Sequence, residues 1–419
     1  MSLPPIKHLR WWMMGLLMLG AIVNYLTRST LAVAAPSFMK DLQITEVEYS
    51  LILNAFQATI MLQPLCGYVI DTIGLKLAMI IFASSWSVIA MAHGFVHSWL
   101  GFAGLRSLLG LAEGCANPAG MKATAEWFPA KERGFAGGMY NIGASVGSMV
   151  APLLVTFAIA HYNWRVAFVI TGAIGLVWVL VWWRFYHPRQ AHPRLSAAEE
   201  QHIAAGQEAH LAGEAKKPSI RWLIHQRNFW GIALPRFLAD PTWGTLTSWL
   251  PLYFVKVRGF NLAEIGLTVW MPFLAADLGC FAGGTIAAFL QRRGVRLINA
   301  RKAAFTVGAT LMIGVAFVGV VDSPYVALAL LCLGGFAHQT LSVTVITMSS
   351  DLFRRNEVAT VAGMAGTFGN AGILIFNLVI GSLVLTVGYT PFFIGLAVLD
   401  LLGAVVLWTV VKEPQAGVA

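Results

Sequence analysis

Charge is what this sequence has least of. Asp, Glu, Lys and Arg make up 11% of its residues, against about 25% in a soluble domain. That shortage excludes an ordinary water-soluble globule, whose surface needs those side chains. Acid is scarcer still: 19 Asp and Glu stand against 28 Lys and Arg, a formal charge of +9. The excess does not describe a nucleic-acid-binding face, because the basic residues fall in short clusters between apolar runs, as in the cytoplasmic loops of membrane proteins. Cysteine is rare too. Cys66, Cys115, Cys280 and Cys332 lie in apolar runs with no CxxC spacing, so they read as small buried hydrophobes and not as redox or metal groups. No small-residue cleavage site follows the first apolar run, which reads as a retained span and not as a secretory signal.

What the chain has in quantity is apolar surface: 58% of its residues are hydrophobic and its mean hydropathy is +0.71. A helix that crosses a bilayer needs about 20 mostly apolar residues. Twelve runs supply them, near 11–33, 48–70, 77–95, 98–122, 134–160, 164–184, 228–255, 264–290, 298–321, 324–350, 357–385 and 389–411. The longest polar interruption divides the chain into an N-terminal half (1–185), a linker (186–227) and a C-terminal half (228–419). The Ala, Glu and Gln of the linker predict a short surface helix. Most Lys and Arg lie on the face that holds both termini and the linker, in clusters such as "KHLR", "PAKERG" and "QRRGVRLINARK". Lys40, Arg165, Lys256 and Arg258 lie on the other face. The positive-inside rule then puts both termini in the cytoplasm.

The halves repeat one another. "EWFPAKERGFAGGM" lines up with "DLFRRNEVATVAGM" at an offset of 225 positions, pairing Phe128 with Phe353, Glu132 with Glu357, Gly138 with Gly363 and Met139 with Met364. The same offset lays "GLAEG" on "GFAHQ", so His338 is the counterpart of Glu113. The expected fold is an all-α membrane protein with twelve transmembrane helices in two pseudo-symmetric six-helix halves, its binding site between them near the bilayer midplane. "GFAGGMYNIGASVG" follows no strand and has no GK[ST] ending, so it is no P-loop. Its Gly143 and Gly147 read as close helix packing.

Six ionisable side chains fall deep in the spans: Arg28, Arg106, Glu113, Arg236, Asp240 and Asp277, with Lys122 at a cytoplasmic helix end. A charge at such depth is costly, about 2.5–3.5 kcal/mol on insertion scales, and marks function by default. Arg28 shares a helix face with Asn24 and Tyr25, and Arg106 lies two turns before Glu113 on another. The arginines suit an anion site and Glu113 a proton carrier; the alternative is a set of ion pairs that only fix helix positions. Arg236 and Asp240, four apart, fit either role, and Asp277 reads as a packing or gate residue. His338 and Gln339 occupy the mirror position of Glu113. Trp243, Asn141 and Asn370 suit the stacking of a sugar face and the binding of its hydroxyls. No nucleophile–base pair or metal-ligand cluster appears, so neither an enzyme nor a cofactor nor a metal is expected.

Between the second and third spans, "GYVIDTIGLK" sets Gly67, Asp71, Gly74 and Lys76 in one turn. It resembles the G-x-x-x-D-x-x-G-x-[RK] signature of the major facilitator superfamily, which implies a cytoplasmic gate at Asp71 and Lys76. The matching turn of the second half, "GGTIAAFLQRRG", lacks the acid. Taken together, "NYLTRST", "EWFPAKERG", "LPRFLADPTWGTLTSWLP", "FLAADLGCFAGG", "GGFAHQ" and "SSDLFRRNEVAT" resemble the bacterial hexuronate carriers of the anion:cation symporter family, over residues 5–412. The resemblance implies proton-coupled import of galacturonate and glucuronate across the inner membrane by alternating access. The expected partners are a sugar-acid anion, protons and the lipid bilayer, with no nucleic acid, and a monomer is expected. It also implies that Arg28 and Tyr25 face the substrate while Arg106 and Glu113 serve recognition and coupling. Two positions depart from the related aldonate carriers: Thr27 stands where they have Asp, and Ala144 where they have Gln. The first removes a candidate proton site and leaves one proton per uronate. The second keeps open an aldonate or other organic acid anion as substrate. A non-transporting sensor on the same fold is the remaining alternative, and the Arg28, Arg106 and Glu113 set argues against it.

Overall fold

A backbone in hydrocarbon must satisfy its own hydrogen bonds, which leaves helices for the apolar runs. The computed structural model describes residues 4–205, 220–353 and 355–413, without the side chains of 71, 130, 131, 133–135, 141, 355, 356 and 359. No strand occurs among the described residues. The first half runs through α1 (Leu9–Leu42), α2 (Glu46–Ile60), α3 (Gln63–Ile73), α4 (Leu75–Ala92), α5 (Trp99–Glu113), α6 (Ala116–Trp127), α7 (Ala130–His161) and α8 (Trp164–Phe185). Two short helices follow in the linker, α9 (Ala197–Ala205) and α10 (Ile220–Ile224). The second half comprises α11 (Arg227–Ser248), α12 (Leu250–Arg258), α13 (Leu262–Thr268), α14 (Met271–Arg292), α15 (Leu297–Leu311), α16 (Pro324–Leu352), α17 (Arg355–Val387) and α18 (Thr390–Val410), with a 3-10 turn, Met312–Phe317, after α15.

Each of the twelve expected spans coincides with one helix or with two joined end to end. Among the described residues, nine helical runs are long and apolar enough to cross a membrane. The other three spans are broken, α2 with α3, α5 with α6 and α11 with α12, and one of the nine runs is broken as well, α13 with α14. Prolines in the first turn of α3 and of α12 mark two of the breaks, because proline starts a helix well and continues one badly. The first span is longer than its apolar window, since α1 continues to Leu42 with Pro36 inside it.

The chain divides into two compact units, Met1–Ile44 with Ala55–Glu214, and Thr45–Asn54 with Ala215–Ala419. In the first, α1 packs on α7, α4 on α8 and α3 on α6. In the second, α11 packs on α17, α15 and its 3-10 turn on α18, and α14 on α16. Counted in spans, these are the same pairings six spans later, so the sequence repeat is also a repeat of packing. Glycine makes the closest of these contacts possible. A Cβ on Gly147 would stand 2.3 Å from Ile22 O, and one on Gly143 2.6 Å from Met18 O. A Cβ on Gly372, the repeat partner of Gly147, would stand 2.1 Å from Phe237 O.

The linker holds the expected short surface helix, α9, mostly exposed and docked by one face. Glu199 and Ile203 of α9 are buried. The residue before α1, His8, supplies no side-chain cap; the Glu199 carboxylate does so instead, accepting from Leu9 N at 2.9 Å and Arg10 N at 3.2 Å. A carboxylate at a helix N-terminus satisfies orphan amides and complements the helix dipole. Residues 206–219 of the linker lie outside the described residues.

Candidate functional site

An arginine in an apolar span needs a counter-charge nearby, and Arg28 of α1 finds one. Its Nε donates to Glu113 Oε2 at 2.9 Å. Glu113 is the last residue of α5, at the break in the fourth span, and its side chain is 0% exposed while that of Arg28 is 26% exposed. Arg28 Nη2 also donates to Asn24 Oδ1 at 3.4 Å, and the guanidinium lies 4.6 Å from the Tyr25 ring centroid. Arg106 Nη2 reaches the Arg28 carbonyl at 3.4 Å. The expected first-half residues Asn24, Tyr25, Arg28, Arg106 and Glu113 therefore form one cluster. Two of its buried polar atoms, Glu113 Oε1 and Asn24 Nδ2, have no hydrogen-bond partner among the described residues. Unmet polar groups in a protein interior are costly unless a ligand, water or proton serves them.

Two aromatic residues belong to this cluster that sequence reasoning missed. The Phe56 ring lies between the two arginines, 5.2 Å from the Arg28 guanidinium and 5.6 Å from that of Arg106. Tyr140 of α7 interacts electrostatically with Arg28, and its hydroxyl donates to Ala116 O at 2.7 Å. Cation–π contact holds a guanidinium without neutralising it. Thr27 adds no polar group, because its hydroxyl turns back to Val23 O. The side chain of Asn141 lies outside the described residues.

In the second unit, Trp243 of α11 stacks on His338 of α16, centroids 6.0 Å apart at 16°, and meets Phe273 edge-on at 5.7 Å. His338 is buried, and its Nδ1 has no partner among the described residues. The packing repeat relates this stack to the first-half ion pair. Ile22 faces Gly147 and Phe237 faces Gly372; six residues beyond each, Arg28 meets Glu113 and Trp243 meets His338. Equivalent places thus hold an ion pair in one half and an aromatic–imidazole stack in the other. Gln339 and Asn370 are half-buried positions on α16 and α17.

Earlier on α11, Arg236 Nη2 donates to Oδ2 of Asp240, one turn before Trp243, at 2.8 Å. The pair is seated on two glycines of α17. A Cβ on Gly369 would stand 1.9 Å from Asp240 Oδ2, and one on Gly366 3.3 Å from Arg236 Nη1. Asp277 is half-buried on α14 and interacts with Cys280. Asp400 completes the deep ionisable set: it stands in the middle of α18, fully buried, and the six residues picked from the sequence omit it. Its place within "VLDLLG" made it visible there.

At the turn between the second and third spans, Gly74 adopts φ +83, a left-handed conformation that favours glycine. Lys76 is half-buried, its carbonyl accepting from Trp182 Nε1 at 3.2 Å, and Lys122 Nζ donates to Ile70 O at 3.2 Å. The side chain of Asp71 lies outside the described residues.

Comparison with known proteins identifies the family of the chain. Residues 17–300 match the profile of the Major Facilitator Superfamily. The chain is 49% identical over 416 residues to the hexuronate transporter of Escherichia coli (strain K12), covering 98% of this chain and 96% of that protein. It is 48% identical over 328 residues to the galacturonate transporter of Dickeya chrysanthemi, covering 77% of this chain and 95% of that one. A crystal structure of a bacterial homolog of the human lysosomal transporter Spinster, inward-facing and occupied, superposes with a TM-score of 0.73 at 16% identity, covering 96% of this chain and 95% of that one. That last likeness is one of fold.

Proposed function

We propose, because this chain belongs to the major facilitator superfamily, that it carries hexuronate anions, galacturonate and glucuronate, inward across the bacterial inner membrane together with protons. It is a multi-pass membrane transporter and not an enzyme. The names of its relatives, a hexuronate transporter and a galacturonate transporter, support the substrate class. In this reading it works as a monomer with both termini in the cytoplasm, its halves 1–185 and 228–419 joined by the linker 186–227.

The observation that carries the proposal is the Arg28–Glu113 pair, 2.9 Å apart with one glutamate oxygen unmet. A uronate carboxylate leaving water needs a charge-assisted donor, and guanidinium offers parallel N–H groups to it. Arg28 is the more exposed member of the pair and receives the anion, aided by Arg106, Asn24 and Tyr25. Glu113 then loses its counter-ion in a place without water. A carboxylate so placed does not keep its charge, so it takes up a proton. Anion and proton loaded together make the site nearly neutral, which lowers the cost of moving it through the apolar interior. In the second unit, Trp243 and His338 suit the sugar's face and hydroxyls, with Gln339, Asn370 and, in the first unit, Asn141 as further polar positions. Asp71 and Lys76 serve the cytoplasmic gate.

Uptake into proteoliposomes from a panel of labelled acids, with and without an imposed pH gradient, tests the proposal. Galacturonate and glucuronate are expected to enter, to compete with one another and to accumulate when the interior is alkaline. Preference for an aldonate, or indifference to the gradient, would overturn it.

A further inference from the structure

Asp400 is the most enclosed acid of the second unit. It is fully buried. Thr242 Oγ1 donates to its Oδ2 at 3.4 Å, while Oδ1 has no partner among the described residues. Besides that hydroxyl, the group acting on it is the Asp240 carboxylate, close enough to interact electrostatically. Asp240 holds Arg236, and Arg236 is held against α17 at Gly366.

The elements packed on α18 are α11, α15 with its 3-10 turn, and α17. From α11 come Arg236 and Asp240. From α15 comes Lys302, whose ammonium donates to Val411 O past the cytoplasmic end of α18, about 16 Å along the helix from Asp400. Arg301, also on α15, is paired with Asp351. The turn Met312–Phe317 has no titratable side chain. On α17 the described acid is Glu357, in its first turn, and His338 of α16 faces Asp240 and Arg236. Among the described residues, one arginine therefore serves two buried carboxylates.

Two ionised acids beside one guanidinium would leave a net negative charge in a largely buried cluster, which burial makes costly. The cluster is neutral only when the two acids share one proton. We infer that the Arg236–Asp240–Asp400 cluster is a second proton site of the transport cycle, with Asp400 as the seat of that proton. The inference rests on the proton-coupled reading above and raises its expected stoichiometry from one proton per uronate to two. Exchange with water runs through α11. The Arg236 and Asp240 side chains are 19% and 11% exposed, and the Thr242 hydroxyl can both donate and accept between them and Asp400. The step is a proton transfer alone. Hydronium on the outer side protonates a carboxylate oxygen of the pair, and water on the inner side takes the proton away.

The test is galacturonate accumulation in proteoliposomes holding the full chain, with the membrane voltage clamped at zero and the interior one pH unit more alkaline. Two coupled protons give about 100-fold accumulation and one gives about tenfold. Wild type is expected near 100-fold, Asp400→Asn near tenfold with galacturonate exchange intact, and Asp400→Glu near 100-fold again. Tenfold accumulation by wild type, or no fall in Asp400→Asn, would overturn the second site while leaving proton coupling at Glu113 standing. No accumulation by either protein would overturn both. Should Asp400→Asn lose exchange altogether, labelling of wild type with a hydrophobic carbodiimide decides, since that reagent needs a protonated buried acid. An adduct on Asp400, read by peptide mass, supports the site, and its absence overturns it.

Discussion

In the proposed cycle Arg28 carries one charge for two claimants, Glu113 and the incoming anion, while the Tyr25 and Phe56 rings lie beside its guanidinium. Lysine in its place keeps the charge but loses the planar fork and the stacking over Tyr25 and Phe56. Arg28→Lys and Arg106→Ala are each expected to weaken galacturonate binding by about 10- to 100-fold, the range of a lost hydrogen bond to a charged group, while both proteins still insert in the membrane. Binding titrations on the purified variants check this; wild-type affinity in both would remove the anion site. At this scale the charged half of the cluster was legible in the sequence, because an arginine in "NYLTRST" and a glutamate in "GLAEG" stand out against apolar neighbours. Phe56 and Tyr140 were not. Aromatic residues make up 12% of the chain, and only tertiary packing singles out Phe56, beside both guanidiniums, and Tyr140, which interacts electrostatically with Arg28.

At the scale of the helix, small residues decide where side chains can sit. Gly369 leaves the space that the Asp240 carboxylate fills, whereas a Cβ on Gly363 of the same helix would meet nothing within 4 Å. Gly369→Ala is therefore expected to lower stability by about 1–3 kcal/mol, the usual cost of overpacking, and Gly363→Ala to change it little. Thermal unfolding in detergent with and without galacturonate compares them, and equal losses would contradict the seating of the pair on α17. The linker helix gives a pH dependence. Burial works against the charged form of Glu132, but hydrogen bonds from His202 and Arg10 outweigh it and hold its carboxyl below the usual carboxylate range. A carboxylate depressed in this way stabilises fully above its unfolded value, about 4.3, and the contribution is lost as pH falls through the folded value. Amides of α9 should therefore keep their hydrogen-exchange protection down to about pH 4.3 and lose it below, and Glu132→Gln should weaken it already at neutral pH. Protection unchanged in the variant would show that the linker is held by other contacts. The spans were legible because twenty apolar residues have few other fates. The docking of α9 was not, because its anchors are Glu199 and Arg10, 189 residues apart.

For the molecule as a whole, each unit repeats one plan of helix pairing, and the same place in that plan holds Arg28 with Glu113 in one and Trp243 with His338 in the other. The 225-residue offset announced the duplication, since Glu113 and His338 align in it. It could not announce that their partners on the first and seventh spans differ in chemistry, because α1 and α11 share too few identities to align. In the proposed cycle Glu113 exchanges a counter-ion for a proton when substrate arrives. Glu113→Gln imitates its protonated form and removes the exchange. The most direct test pairs two measurements on this variant in the same liposomes, substrate counterflow without a gradient and galacturonate accumulation under a pH gradient at zero voltage. Counterflow is expected near the wild-type rate and accumulation lower by the factor of one coupled proton, about tenfold per pH unit; accumulation equal to wild type would contradict coupling at Glu113.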